Sequence, residues 1–193
     1  MDLPSHTIID YHRAENPSVT TIFYDTTSEK SVTIAKGEVE KSFVGIDRSN
    51  NRLLLVKDED DLDDEITLRM SLLWKFPRVT ISTTLQDSYI YIMKHWVVDY
   101  ILKNEKISSI KEDLLPQLVK MQYQSILLRK EGIEQLMTKD KNDFFELNDV
   151  KTLQKPKVKV NVFTVPKDKT CLRANNISAY SELNRLSGIQ GCS

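Results

Sequence analysis

Glycine is scarce in this chain, with 5 residues in 193 where roughly 7% is usual. The closest two are Gly188 and Gly191, so neither G-x-G-x-x-G nor G-x-x-x-x-G-K-[ST] can be written anywhere in the sequence. Such motifs hold phosphates because glycine lets the backbone approach them closely. The scarcity therefore excludes a glycine-built phosphate site from this chain.

Cysteine, an excess of one charge and long apolar runs are lacking as well. The two cysteines, Cys171 and Cys192, are too few for a disulfide framework or a four-cysteine metal site. The 27 basic and 28 acidic residues nearly cancel, which argues against binding of nucleic acid through a basic surface. Apolar runs such as Leu53 to Val56 are far too short for a membrane span, and the first residues carry no signal-peptide pattern. The sequence therefore predicts a cytosolic protein.

The first third of the chain favours one helix followed by strands. Ser5 to Asn16 is expected to be a helix that starts after Pro4, where a missing N–H costs little. Ser18 to Asp25 is rich in the β-branched and aromatic residues that are typical of strands. Residues 43–47 and 52–57 flank a polar Asn-Asn connection, which predicts a β-hairpin.

The middle of the chain predicts two further strands and two helices. Val79 to Leu85 alternates apolar and polar residues, which indicates a half-buried strand. Tyr89 to Met93 is continuously apolar and predicts a central strand that is buried on both faces. An apolar stripe over Trp96 to Ile101 predicts a helix, and Ser109 opens another with a capping box, kinked near Pro116.

These elements predict an α/β domain with a mixed sheet, organised in three parts. Residues 1–123 form the core, and 158–193 return to a strand and close with an exit helix. Residues 124–157 are crowded with Lys, Glu, Asp and Asn, and are expected to be a flexible charged insertion with one short helix. Because the chain opens on a helix, whereas such domains usually open on a strand and a ligand loop, a front portion is expected to be absent.

The residue pattern alone assembles no catalytic or metal centre. His6 and His12 are six positions apart, which places them on different sides of a helix. The acidic run from Lys57 to Glu65 fails as a calcium loop because Asp63 stands where glycine is needed. It is expected to be a solvated turn or a contact for a basic partner. Cys171 has only nearby cations to activate its thiol. From these residues together we expect no catalytic residues, no cofactor and no metal.

Several blocks, in a fixed order over most of the chain, resemble one protein family. The most distinctive is Ile107 to Val119, with the sequence ISSIKEDLLPQLV. The others are Asp2-Leu3, Phe43–Asp47, Arg52–Leu55, Asp61–Glu65, Ser71–Arg78, Leu85–Tyr91, Trp96–Ile101, Cys171–Arg173 and Tyr180–Arg185. Together they resemble the gamma subunits of eukaryotic translation initiation factor two B, a family that is similar to the sugar nucleotidyltransferases.

The resemblance implies a doubly wound, Rossmann-like nucleotidyltransferase domain, of which this chain corresponds to the second half. Active nucleotidyltransferases hold a metal with an acidic residue at the position of Asp2. They use Glu-Lys-Pro where this chain has Val56-Lys57-Asp58, and Asn-Ala-Gly where it has Asp87-Ser88-Tyr89. Asp2, Asp87 and Tyr89 are therefore expected to be relics of a degenerate pocket, in which the tyrosine fills the sugar site.

The resemblance further implies a non-catalytic subunit that supports GDP/GTP exchange on initiation factor two. The expected partners are the epsilon subunit, the other subunits of the exchange factor complex, and initiation factor two itself. No direct contact with nucleic acid or a membrane is expected. Because a fold does not fix a function, two alternatives stay open: a sugar-nucleotide pyrophosphorylase and a purely structural subunit.

Overall fold

The structure is a computed structural model that describes residues 4–26, 42–61, 65–140 and 157–167, with isolated positions at 169, 177, 180, 181, 184 and 185. Helix α1 (Ser5–Glu15) ends at Asn16, which adopts a φ of 48°. Asparagine tolerates this left-handed conformation better than most residues, which makes it a suitable helix terminator. Strand β1 (Val19–Asp25) follows, so the first two predicted elements are confirmed.

The predicted hairpin is present as β2 (Ser42–Asp47) and β3 (Arg52–Asp58). Asp47 holds its turn, because the carboxylate accepts hydrogen bonds from the Ser49 amide (3.2 Å) and the Asn50 side chain (2.9 Å). Gly45 in β2 lies opposite Leu55, where an added Cβ would come within 2.9 Å of the Leu55 Cβ. Close approach of the two strands therefore requires glycine at this position.

Two strands replace the single strand predicted over 79–85. After α2 (Met70–Lys75), β4 (Val79–Ser82) ends at a bend, and β5 (Leu85–Met93) begins beyond it. The Ser82 hydroxyl accepts a hydrogen bond from the Thr84 amide at 3.3 Å. Such a local bond competes with strand pairing, so the chain bends although its apolar alternation continues. The prediction of one continuous strand is wrong.

The two predicted helices after β5 are confirmed, with one change of form. Helix α3 (His95–Lys103) is followed by a π-helical turn (Ile110–Leu114) and then by α4 (Leu115–Tyr123). The Ser109 hydroxyl accepts a hydrogen bond from the Glu112 amide at 3.3 Å, as the capping box requires. Pro116 lies in the first turn of α4, where its missing N–H is tolerated, so the irregularity is the π-helical turn before it.

Helices α5 (Ser125–Lys130) and α6 (Ile133–Asp140) occupy the start of the segment that the sequence predicts to be a flexible insertion with one short helix. Leu128 and Ile133 are buried in the main core, and Ile133 has no exposed surface. The expectation of a single short helix is therefore wrong, because the apolar residues of 124–140 anchor two, whereas the flexibility of the insertion stays a prediction. Residues 141–156 and most of the exit helix lie outside the described residues, and the domain boundaries stay predictions.

Strand β6 (Val160–Thr164) completes a six-stranded sheet with the order β4-β2-β3-β6-β1-β5. Strands β1 and β6 run parallel, whereas the other pairs are antiparallel, so the sheet is mixed. Strand β5 is an edge strand, and its Tyr89 and Ile90 are each 39% exposed. The prediction that Tyr89 to Met93 is central and buried on both faces is wrong, because the strand lies at the edge of the sheet and the start of this apolar run is exposed.

A two-residue connection between β4 and β5 curls the sheet. These strands lie at opposite edges, yet only residues 83 and 84 separate them. Five strand spacings in a flat sheet would measure about 24 Å, whereas this connection spans at most about 11 Å. The Thr84 carbonyl accepts hydrogen bonds from the Thr26 amide and hydroxyl, both 2.9 Å long, and the Ser42 hydroxyl donates to the Leu85 carbonyl (3.3 Å). The ends of β1 and β2 therefore converge on one point.

Helices cover both faces of the sheet. Ile22 and Phe23 are neighbours in β1 and so point to opposite faces. Phe23 belongs to the main core with Trp96 and Tyr100 of α3, whereas Ile22 packs against Ile8 of α1. This arrangement confirms the predicted α/β class with a mixed sheet. Within the described ranges, no helix combines the length and apolar character needed to cross a bilayer.

Candidate functional site

Asp87 is a buried carboxylate in the middle of β5, and its residue is only 4% exposed. It accepts hydrogen bonds from the Tyr89 backbone amide (2.9 Å) and from the Tyr91 hydroxyl. Burial raises the pKa of Asp87, and these bonds together with the charge of Lys111 offset only part of that rise. Both carboxylate oxygens are thus engaged by groups of the same strand.

Tyr89 adopts a φ of 58°, a left-handed conformation that favours glycine. The pairing with β1 passes from Thr21 opposite Tyr91 to Phe23 opposite Asp87, so β5 bulges around Tyr89. The Ser88 hydroxyl donates to the Ile22 carbonyl at 2.7 Å and holds this bulge against β1. The backbone at the position aligned with the glycine of Asn-Ala-Gly therefore has the conformation that a glycine would take.

Lys111 is a residue of this site that the sequence reasoning missed. Its ammonium lies 2.7 Å from Asp58 Oδ2, 3.4 Å from the Tyr89 hydroxyl and 5.5 Å from the centre of the Tyr89 ring. The Lys111 and Asp58 side chains are only 11% and 22% exposed. Burial lowers the pKa of Lys111, but the hydrogen bond and charge of Asp58, together with Tyr89, outweigh it and raise the pKa. The amine therefore stays charged and ties β3 to the π-helical turn and β5.

A cavity of about 220 Å³ lies beside this ion pair. Its walls come from β3 and from the helical segment that begins at Ile110. The lining residues are Leu54, Leu55, Val56, Lys57, Asp58, Lys111, Glu112, Pro116, Val119, Lys120 and Tyr123. The cavity is smaller than the roughly 300–1,000 Å³ of ordinary small-molecule sites, so it does not by itself indicate a substrate pocket.

The structure brings together two of the three predicted pocket residues. Asp87 and Tyr89 lie in one cluster with Asp58 and Lys111, whereas Asp2 lies outside the described residues. No group of three or more His, Cys, Asp or Glu side chains that could hold a metal ion occurs in the part of the chain that the structure describes. Within this cluster the described polar contacts join β3, β5 and the π-helical turn.

Comparison with known proteins shows which proteins this chain is similar to in sequence. The chain matches no protein-family model. It is 37% identical, over 179 residues that make up 92% of the chain, to translation initiation factor eIF2B subunit gamma of Schizosaccharomyces pombe. The chain is a homologue of the eIF2B gamma subunits. The gamma subunit of Dictyostelium discoideum is 24% identical over an alignment 199 residues long, which covers 91% of this chain. The gamma subunit of Caenorhabditis elegans is 26% identical over 119 residues, which cover 61% of this chain.

The similarity concerns one part of these eIF2B gamma subunits. The chain spans 38% of the length of the S. pombe relative, and the matches span 45% and 29% of the other two. Because nearly the whole chain is matched at 37% identity, the resemblance stated from the sequence is confirmed. A match to less than half of each relative does not show that this chain has the activity of the complete protein.

Proposed function

We propose that this chain acts in a non-catalytic subunit of an eIF2B-type complex and supports GDP/GTP exchange on initiation factor two. The observation that carries the proposal is the 37% identity to the S. pombe gamma subunit over 92% of the chain. The same subunit recurs among relatives from an amoeba and a nematode. Nucleotide exchange needs a surface that holds the GTPase and its partner subunits, and no covalent chemistry from this chain.

The geometry around Tyr89 supports a non-catalytic role. The resemblance aligns Tyr89 with a glycine beside a bound sugar, so its phenol ring is expected to fill that space. At the end of β3, where it places Glu-Lys-Pro, Asp58 is paired with Lys111 at 2.7 Å. A substrate would have to displace both the ring and the ion pair, so a sugar-nucleotide pyrophosphorylase has less support than a binding role.

The proposed partners are the epsilon subunit, the other subunits of the complex and initiation factor two, in the cytosol. Met70 and Trp74 on α2 are 61% and 83% exposed, and exposed aromatic and methionine side chains are enriched where proteins contact one another. The net charge of −1 provides no general attraction to nucleic acid. These features support assembly with protein partners.

The test is nucleotide exchange with and without this chain. Initiation factor two is loaded with fluorescent GDP, and its release is followed with the epsilon subunit alone and with the epsilon subunit plus the 193-residue chain. We expect the chain to co-purify with the epsilon subunit and to accelerate release.

Three outcomes would count against the proposal in different ways. Co-purification without acceleration would favour the purely structural subunit. Failure to co-purify would contradict assembly itself. Release of pyrophosphate from a nucleoside triphosphate and a sugar phosphate, catalysed by the chain, would favour the transferase.

A further inference from the structure

A second cavity, of about 400 Å³, lies on the other side of α4 from the candidate site and shares no residue with the first. It is formed where the start of β3, the end of α2, the end of α4, α5 and the segment before β6 meet. The lining residues are Asn50, Arg52, Lys75, Phe76, Met121, Gln122, Ser125, Leu128, Arg129, Glu134, Lys157 and Val158. Its volume falls within the roughly 300–1,000 Å³ range of small-molecule sites.

The charge of this cavity is strongly one-sided. Arg52, Lys75, Arg129 and Lys157 line it, and Glu134 is the one acidic side chain among its described lining residues. The whole chain is nearly neutral, so this concentration of cations is a local feature. Burial lowers the pKa of Lys75, and the positive charges of Lys157 and Arg52 lower it further. Lys75 is therefore repelled by Lys157 and Arg52 across a shared space, and an anion placed among them would relieve that repulsion.

The floor of the cavity holds two of these cations in place. Arg52 and Lys75 lie 5.8 and 5.9 Å from the centre of the Phe76 ring, which is 5% exposed. Lys75 also donates to the Gln122 carbonyl. The Nε of Arg52 is buried and has no hydrogen-bond partner within the described ranges. A buried guanidinium nitrogen without an acceptor is costly, which favours an acceptor at this point that the described residues do not supply.

We propose that this cavity is a binding site for a small phosphorylated anion. A phosphate group carries more negative charge and more acceptor oxygens than a carboxylate, so it is the better match for a cavity lined by Arg52, Lys75, Arg129 and Lys157. Ser125 and Asn50 add polar groups at the rim, and Phe76 offers an apolar surface for the remainder of the ligand. The inference rests on this cavity alone and does not depend on the proposed role in nucleotide exchange.

Inorganic pyrophosphate is the first probe, titrated calorimetrically into the chain at about 0.15 M salt, where exposed charges are screened beyond about 8 Å. The test variant carries Arg129→Gln and Lys157→Gln, because both side chains are exposed and can be replaced without disturbing the core. The matched control carries Lys103→Gln and Lys130→Gln, which remove the same charge from exposed positions that do not line the cavity. Circular dichroism confirms that both variants are folded.

We expect saturable binding that weakens about tenfold or more in the test variant, since each charge-assisted hydrogen bond contributes substantially, and that is unchanged in the control. Adenosine diphosphate is the second probe. Tighter binding than pyrophosphate would identify a ligand with a base that packs on Phe76, and equal binding would identify the phosphate group alone. Absence of binding, or equal weakening in both variants, would overturn the proposal. Binding of a poly-glutamate peptide in place of either phosphate compound would overturn it as well.

Discussion

Gln122 joins α4 to two strands that otherwise barely pair. It is 4% exposed, its side-chain amide donates to the Leu53 carbonyl at 2.6 Å, and its side-chain oxygen accepts from the Val160 amide at 3.2 Å. Strands β3 and β6 share a single registered pair, Arg52 opposite Asn161. One glutamine therefore supplies the two hydrogen bonds that a regular strand ladder would have made at this point.

The substitution Gln122→Met keeps the approximate size and shape of the side chain but removes both hydrogen bonds. The Leu53 carbonyl and the Val160 amide are then left buried without a partner, at about 1–3 kcal/mol each. Greater burial of apolar surface by methionine returns about 1 kcal/mol. We expect the free energy of unfolding to fall by about 1–5 kcal/mol, which at a urea slope near 2 kcal/mol per M lowers the midpoint by about 0.5–2.5 M.

The assay is urea unfolding followed by circular dichroism, with Gln135→Met as the control. Gln135 lies on α6 and is exposed, so the same chemical change there should alter stability by less than about 0.5 kcal/mol. If Gln122→Met lost no more stability than Gln135→Met, the bridge between β3 and β6 would not be the stabilising element described here.

Two further changes test other parts of the fold. Gly45→Ala should destabilise the chain by about 1–3 kcal/mol in the same urea assay, because its Cβ would lie 2.9 Å from the Leu55 Cβ; a neutral result would refute the close approach. Asp87→Asn tests the buried carboxyl: since the folded-state pKa is raised, the stability that Asp87 contributes is fully present below its ordinary pKa of 3.8 and is lost as pH rises through the folded-state pKa. The variant should therefore gain stability relative to the wild type between low and neutral pH, and a constant difference across that range would contradict the raised pKa.

Local patterns predicted the elements that local chemistry determines. Helix α1, strand β1 and the β2–β3 hairpin follow from proline, β-branched residues and polar turn residues within a few positions of one another. The capping box at Ser109 was likewise predictable, because the hydroxyl and the Glu112 amide that it bonds are three residues apart.

Long-range pairing accounts for the errors. An apolar run such as Tyr89 to Met93 has the same sequence pattern in an edge strand and in a central strand. Only the strands that pair with it determine its position in the sheet. Strand β5 reaches its edge position because the bend at residues 83 and 84 carries the chain past the ends of β1 and β2. In 124–140, a count of apolar residues underestimated packing, since Leu128 and Ile133 are buried in the core and Leu127, Leu136 and Met137 pack against it.

The candidate site likewise contains residues that the sequence predicted and one that it did not. Asp87 and Tyr89 were found through the resemblance, because both lie in one short block of sequence. Lys111 was missed because its partner Asp58 is 53 positions away, and nothing in the capping box specifies which side chain of the first turn faces β3. The cations of the second cavity, from residues as distant as Arg52 and Lys157, are likewise joined only by the fold.

The conformation of Tyr89 bears on whether a transferase site could be recovered. A non-glycine residue at a φ of 58° carries strain, and it persists here because Asp87 and Ser88, the two residues before it, hold the bulge through their hydrogen bonds. Substituting glycine would relieve the strain and remove the ring, yet Lys111 would still pair with Asp58. A sugar site at the place that the resemblance implies would thus require changes at no fewer than two separated positions, Tyr89 and Asp58, both of which contact Lys111. This coupling supports the proposal of a fold that is maintained for binding, because neither position could change without loss of a contact to Lys111.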